Sequence, residues 1–191
     1  MSETELGMMS KEETKNITKN GAWYFAGDVP VCRVANTDMY VCCIKNGHPM
    51  SSKDIEEAGY ASYEDAFGEG IYYSLEKADN VKAEAAKMLD VYGIDSANMR
   101  LLTTNGGTRG ASILALPGVL MDLAYDIKAD GFYIVPTSIN EVIALPGEKT
   151  EEANVAIKTV LDINNSRGSQ TVLTDSVYYY DALTDKLEFA A

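Results

Sequence analysis

One stretch, Met99 to Pro146, constrains the fold of this chain more than any other part of it. It holds the densest apolar material in the protein and reads as strand, tight turn, strand, helix, strand, strand. Two apolar runs, Met99–Thr104 and Ala111–Ala115, flank Asn105-Gly106-Gly107. Asn-Gly and Gly-Gly tolerate the positive φ angles that primed hairpin turns demand, so the spacing predicts a hairpin. Pro117 suits a first helical turn, where its missing N–H costs nothing. Leu116, Leu120, Leu123 and Ile127 then recur at helical spacing, and Asp130-Gly131 is the predicted stop. Phe132–Val135 and Glu141–Leu145 read as two strands around Pro136-Thr137-Ser138. The stretch yields a fold, but no residue set in the chain identifies a chemistry.

Upstream, residues 1–9 read as a frayed terminus. Ser10-Lys11-Glu12-Glu13 has the capping-box pattern, Ser with Glu three residues on, and predicts a short helix ending at Asn20-Gly21. Residues 1–22 therefore read as a flexible or helical arm and 23–191 as one α+β domain. Trp23, Tyr24 and Phe25 form an aromatic cluster expected to plug the arm onto that domain. Val29–Ala35 and Met39–Lys45 are two strands about Asn36-Thr37-Asp38. A hairpin centred on Thr37 sets Cys32 opposite Cys42 and points Cys43 the other way, because neighbours in a strand face opposite sides. Both runs are apolar, so the cysteines read as buried, inert thiols.

Ser51 or Ser52 caps a helix over Asp54–Ala58. Tyr63, Ala66, Phe67 and Ile71 give Ser62–Lys77 a helical face that Gly68 and Gly70 weaken by about 1 kcal/mol each. Asp79 caps a clearer helix, Asn80–Tyr92, striped by Val81, Ala85, Met88, Leu89 and Tyr92 and ended by Gly93. Downstream of the central stretch, Glu151–Leu161 reads as a helix with Val155, Ile157, Val160 and Leu161 apolar, and Asn164–Ser169 as a polar loop. Val177–Tyr180 and Lys186–Phe189 make a final hairpin around Leu183-Thr184-Asp185. The fold class is α+β, mainly an antiparallel sheet built from hairpins, with two or three helices packed on one face.

Several constellations that carry chemistry are missing. The chain has one histidine, His48, beside Pro49 in a turn. Three cysteines lack the Cys-x-x-Cys spacing of a metal site and form no disulfide framework. No metal and no cofactor is implied. Acidic residues are spread through helices and turns, without a calcium-loop spacing or a carboxylate pair for glycoside chemistry. The one candidate ligand loop is the Gly-rich turn around Asn105, Gly106, Gly107 and Arg109, whose amides and guanidinium are able to cradle a phosphate. It lacks the Gly-Lys-Ser/Thr ending of a P-loop, and the hairpin pattern accounts for its glycines. Glu141 is a candidate partner for Arg109.

Across the chain, 29 Asp and Glu face 16 Lys and Arg, a net charge of −13 in 191 residues. Such a surface disfavours direct binding to nucleic acid or anionic membranes, which takes a basic face. No run of about 18 apolar residues is present to span a membrane. The acidic start, Met1-Ser2-Glu3-Thr4-Glu5, lacks the apolar region of a secretory signal, so a cytoplasmic setting is expected.

Leu102-Thr103-Thr104-Asn105, Gly110-Ala111-Ser112, Leu116-Pro117-Gly118-Val119-Leu120, Tyr133-Ile134-Val135-Pro136-Thr137-Ser138 and Asp175-Ser176-Val177-Tyr178-Tyr179-Tyr180 carry a resemblance. In order and spacing, from about Val29 to Leu187, the chain resembles the C-terminal half of an uncharacterised bacterial domain family found in longer Clostridia-type proteins. The resemblance implies a fold and no activity. The resemblance implies that members usually carry a further N-terminal half, absent here, and typically have His where this chain has Asn140, which cannot serve as a general base. Three functional readings follow. The first is a non-enzymatic acidic module that binds a protein, in particular one with a basic surface. The second is a nucleic-acid-mimicking inhibitor, an anti-defence factor carried by a phage or mobile element, whose carboxylates bind a basic protein surface. The third is an enzyme or nucleotide-binding domain using the Asn105–Gly110 loop.

Overall fold

Short apolar runs punctuated by Gly, Asn and Asp favour antiparallel pairing of neighbours. The structure, a computed structural model, describes residues 4–21, 23–60, 73–77, 89–104, 108–166 and 172–191. Its first sheet contains β1 (Thr4–Met8), β2 (Ile17–Asn20), β3 (Trp23–Ala26), β4 (Val29–Arg33) and β5 (Tyr40–Lys45). They lie in the order β1-β5-β4-β3-β2, with the two-residue β6 (His48–Pro49) also on β5. Helix α1 (Ser52–Glu57) follows, its Ser51 cap exchanging hydrogen bonds with Asp54. The second sheet contains β7 (Tyr73–Lys77), β8 (Arg100–Thr104), β9 (Gly131–Val135), β10 (Val142–Pro146), β11 (Tyr178–Asp181) and β12 (Lys186–Phe189). Its order is β12-β11-β9-β10-β8-β7, every pairing antiparallel. Helix α2 (Val119–Ile127) precedes β9, and α3 (Glu151–Ser166) joins β10 to β11. The α+β class therefore holds.

Helices α2 and α3 lie on opposite faces of the second sheet instead of sharing one. All five residues of β9 are buried, as expected of a continuous apolar run covered on both sides. Phe132 and Ile134 join a core with Leu6, Met8 and Val41 of the first sheet and Leu123 and Ile127 of α2. Tyr133 and Val135 face the other way, against Ala153, Ile157 and Leu161 of α3. One junction between the sheets is polar. The Asp38 carboxylate, in the turn before β5, accepts hydrogen bonds from the Thr174 hydroxyl at 2.9 Å and from the Tyr178 hydroxyl.

The structure departs from the sequence expectations at several places, each for a physical reason. Ala111–Ala115 is not a strand: Gly110–Ala115 forms a 3₁₀ turn, and β8 pairs with β7 and β10. Asn105-Gly106-Gly107 lies outside the described residues. Helix α2 starts at Val119 behind Gly118, whose φ of 79° only a glycine adopts without strain, and Lys128 at φ 53° ends it ahead of Asp130-Gly131. Thr4–Met8 is a paired strand with Leu6 and Met8 buried, not a frayed end. Gly7 allows that pairing, since a Cβ there would meet Ile44 Cδ1 at 1.7 Å.

The aromatic run is strand β3 of the meander, with the Tyr24 ring edge-on to Tyr40 at 5.6 Å. Cys32 stands opposite Val41, one residue off the expected register, so it shares a face with Cys43 and packs against its cluster, while Cys42 points away. Tyr73–Lys77 is strand, not helix; 61–72 and 78–88, with most of the expected second helix and its Asp79 cap, lie outside the described residues. Leu89 is buried but Tyr92 is 40% exposed, and Val155 of α3 is 63% exposed, so neither belongs to its expected apolar stripe. Helix α3 also extends to Ser166, into the expected loop.

Candidate functional site

The candidate loop is held by a close approach. A Cβ on Gly110 would lie 2.1 Å from Thr103 Oγ1, 2.7 Å from the Asn140 carbonyl oxygen and 2.8 Å from the Thr104 nitrogen. Glycine alone lets this segment lie directly on β8 and the 137–141 turn. Asn140 then serves both: its side-chain oxygen accepts from Arg109 N–H at 2.9 Å, and its carbonyl accepts from the Thr103 hydroxyl at 2.8 Å. Ala111 N–H donates to the Ile139 carbonyl at 3.1 Å.

Arg109, at φ 54°, turns its guanidinium back to the start of the chain. Nη1 donates to the Met8 carbonyl at 2.9 Å and to Glu13 Oε2 at 2.8 Å, and Nη2 donates to Glu13 Oε1 at 2.7 Å. This two-pronged pairing is the strong geometry for Arg and carboxylate. Glu13 also accepts from Ser10 N–H at 2.7 Å, while Glu13 N–H donates to Ser10 Oγ at 3.3 Å. The capping-box bonds thus form, yet they close a single turn, with Thr14 N–H on the Ser10 carbonyl, that leads into β2 instead of a helix. Burial pushes the Glu13 carboxyl up, but hydrogen bonds from Arg109 and Ser10 and the Arg109 charge outweigh it and hold the carboxyl below its ordinary value.

Glu141 is not the partner of Arg109; its carbonyl accepts from Ser138 N–H at 3.2 Å and from the Thr137 hydroxyl at 3.0 Å. Beside the Arg109–Glu13 pair is a cavity of about 910 Å³ bordered by Ser10, Lys11, Glu12, Ile139 and Asp175. Lys11 pairs with Asp175 and Lys15 with Glu12, so its cations are matched one for one by carboxylates. Such a surface does not concentrate a phosphate. His48 is exposed in β6, and among the described residues no three His, Cys, Asp or Glu side chains gather as a metal site.

A second concavity is apolar. A groove of about 520 Å³ opens where the first sheet meets the 3₁₀ turn and the β11–β12 hairpin, walled by Leu6, Val41, Leu116, Met121, Tyr180 and Leu187. Its polar margins are Arg33, whose Nε donates to the Thr37 carbonyl, and Asp185, which accepts from the Tyr180 hydroxyl at 2.7 Å. Sequence reasoning passes over this groove because Leu116–Gly118 reads as a helix start. The signal present was Met121 and Tyr125, four apart on α2 and off its buried stripe.

These elements define an α+β protein of two antiparallel sheets with an apolar groove between them. Residues 62–182 match the model of DUF5688, a family of unknown function, and the chain belongs to that family. The match includes the Arg109 loop, Asn140 and β8 to β11; the first sheet precedes it. No curated protein and no solved structure matches the chain.

Proposed function

We propose that this protein is a non-enzymatic, acidic protein-interaction module of the cytoplasm whose partner presents a basic surface. The observation that carries the reading is how its cations are spent. Among the described residues, seven Lys and Arg side chains are paired with carboxylates of the same chain. With 29 carboxylates against 16 cations, pairing every cation with a carboxylate still leaves the chain a surplus of negative charge. A field of one sign steers an oppositely charged partner and acts on association more than on dissociation. None of the three cysteines is in a disulfide, in keeping with a reducing compartment. Among the described residues no helix is long and apolar enough to cross a membrane.

Within this reading, a nucleic-acid mimic is the special case in which the partner is itself a nucleic-acid-binding protein, and duplex DNA then competes for it. The nucleotide-loop alternative loses support because Arg109 is committed to Glu13 and Met8. The test is stopped-flow association with a purified partner over a salt series. Attraction screened over about 8–10 Å at physiological salt gives an on-rate that falls steeply as salt rises, with the off-rate nearly constant. An on-rate independent of salt rejects the reading.

A further inference from the structure

We infer that the apolar groove between the two sheets is the docking site for an apolar anchor of that basic partner, an aliphatic side chain flanked by Lys or Arg. This rests on the interaction-module reading and deepens it. The groove, at about 520 Å³, falls in the size range of binding pockets, roughly 300–1,000 Å³. Its walls are apolar side chains that the core already orders, including Leu6, Val41, Tyr180 and Leu187. A solvent-facing extension continues from it along α2. Met121 is 39% exposed and Tyr125 is 88% exposed, while Leu120, Leu123 and Ile127 of the same helix fill the core. Met121 and Tyr125 lie four residues apart, one turn along the same side of the helix. The core does not need them there. An exposed Met and Tyr beside a groove match the composition of interface centres, where Met adapts its shape and Tyr gives area at small entropic cost.

Charge selects the occupant. Asp122 is exposed on α2 directly after Met121, Asp126 after Tyr125 is paired with Arg100 at 3.4 Å, and Asp185 lines the groove itself. The one cation lining it, Arg33, is turned to the Thr37 carbonyl. An aliphatic acid would bring its carboxylate toward this acidic rim and be repelled. A peptide segment with Lys or Arg either side of a Leu-like anchor is complementary to both the wall and the rim. One wall comes from the first sheet, outside the family match, and the other from α2 and its approach, inside it, so the groove is a composite of the two.

The probe is a helix-forming peptide of leucine and lysine, with two variants: lysine replaced by glutamate, and leucine replaced by serine. Titration followed by amide chemical shifts and calorimetry reads site and affinity. The leucine–lysine peptide is expected to shift amides of residues 114–116, 118–121, 33–35 and 185–187 and to bind at least about tenfold tighter than either variant. The protein variant Met121→Ser/Tyr125→Ser, at exposed positions that leave the core intact, should weaken it by about tenfold. Asp122→Asn/Asp185→Asn should weaken it more than Glu151→Gln/Glu152→Gln, an equal change of charge at the start of α3. No binding, equal weakening by the two charge pairs, or shifts confined to another face overturns the groove assignment. Retention of a salt-dependent on-rate with the partner in that event leaves the module reading standing. A salt-independent on-rate with a normal groove titration does the reverse.

Discussion

Gly110→Ala adds one methyl group where three atoms already stand. The new Cβ would sit 2.1 Å from Thr103 Oγ1, which a rotamer change can move, but also 2.7 Å and 2.8 Å from backbone atoms of Asn140 and Thr104, which it cannot. The 3₁₀ turn must then lift off β8. Overpacking of this kind costs roughly 1–3 kcal/mol. The lift also loosens the Arg109–Asn140, Thr103–Asn140 and Ala111–Ile139 hydrogen bonds, each about 1 kcal/mol net. A loss of about 3 kcal/mol is expected. With a urea m-value of roughly 2 kcal/mol/M, the midpoint falls by about 1.5 M.

Gly118→Ala is the matched control: its φ is 79° and a Cβ meets nothing within 4 Å, so only the left-handed strain of about 1–2 kcal/mol applies. Thr103→Ala on the Gly110→Ala background removes the closest contact and leaves the two backbone ones, so it recovers less than half of the loss. Urea unfolding followed by far-ultraviolet dichroism checks all three. A Gly110→Ala midpoint no lower than that of Gly118→Ala refutes the close-approach reasoning.

Because Glu13 is held below its ordinary value when folded, its contribution is present above the unfolded pKa of about 4.3 and is lost as pH falls through the lower folded value. Glu13→Gln should therefore cost about 1–2 kcal/mol at neutral pH and flatten the acid limb of the stability curve; an unchanged acid limb in urea midpoints counts against the Arg109 latch. Burial pushes the Cys42 thiol up to about 12, whereas Cys32 is only half-buried. Iodoacetamide at around pH 8 should modify Cys32 before Cys42, and mass mapping that finds the reverse contradicts the observed register. Asp38→Ala leaves the Tyr178 and Thr174 hydroxyls without their shared acceptor and should cost about 2 kcal/mol. Tyr178→Phe on that background should then cost less than it does alone, which a double-mutant cycle measures.

How far the sequence can be read depends on whether the signal is local. Strands β9 and β10 are legible because Phe132–Val135 is apolar without a break and Pro136-Thr137-Ser138 marks the reversal. The β11–β12 hairpin is legible because Asp181, whose Oδ1 takes Leu183 N–H at 2.9 Å, is a turn residue by its own chemistry. Gly110 is not legible in the same way. A glycine chosen for space and one chosen for positive φ look alike in a sequence, and here the contact is with Thr103 and Asn140. The Cys32 register fails on one residue, since the link from Val34 to Met39 includes Ala35 at φ 42° and a slip of one reverses every side chain. Arg109 and Glu13 stand 96 positions apart, and nothing near either names the other. Asn105, Gly106 and Gly107 lie outside the described residues.

The division of the core between two sheets has a consequence for how the protein is made. The first sheet is complete once Pro49 has left the ribosome, but its inner face, Leu6, Met8, Val34, Met39 and Val41, is covered by residues from Leu102 to Leu187. At synthesis rates of about 5–20 residues per second, completing that cover takes roughly 7–28 s. During that interval the nascent chain displays an apolar surface whose cover from α2, β9 and the β11–β12 hairpin is still to come. A chain arrested before β9 emerges keeps that surface permanently, and it becomes a substrate for chaperones and proteases rather than a smaller version of the same protein.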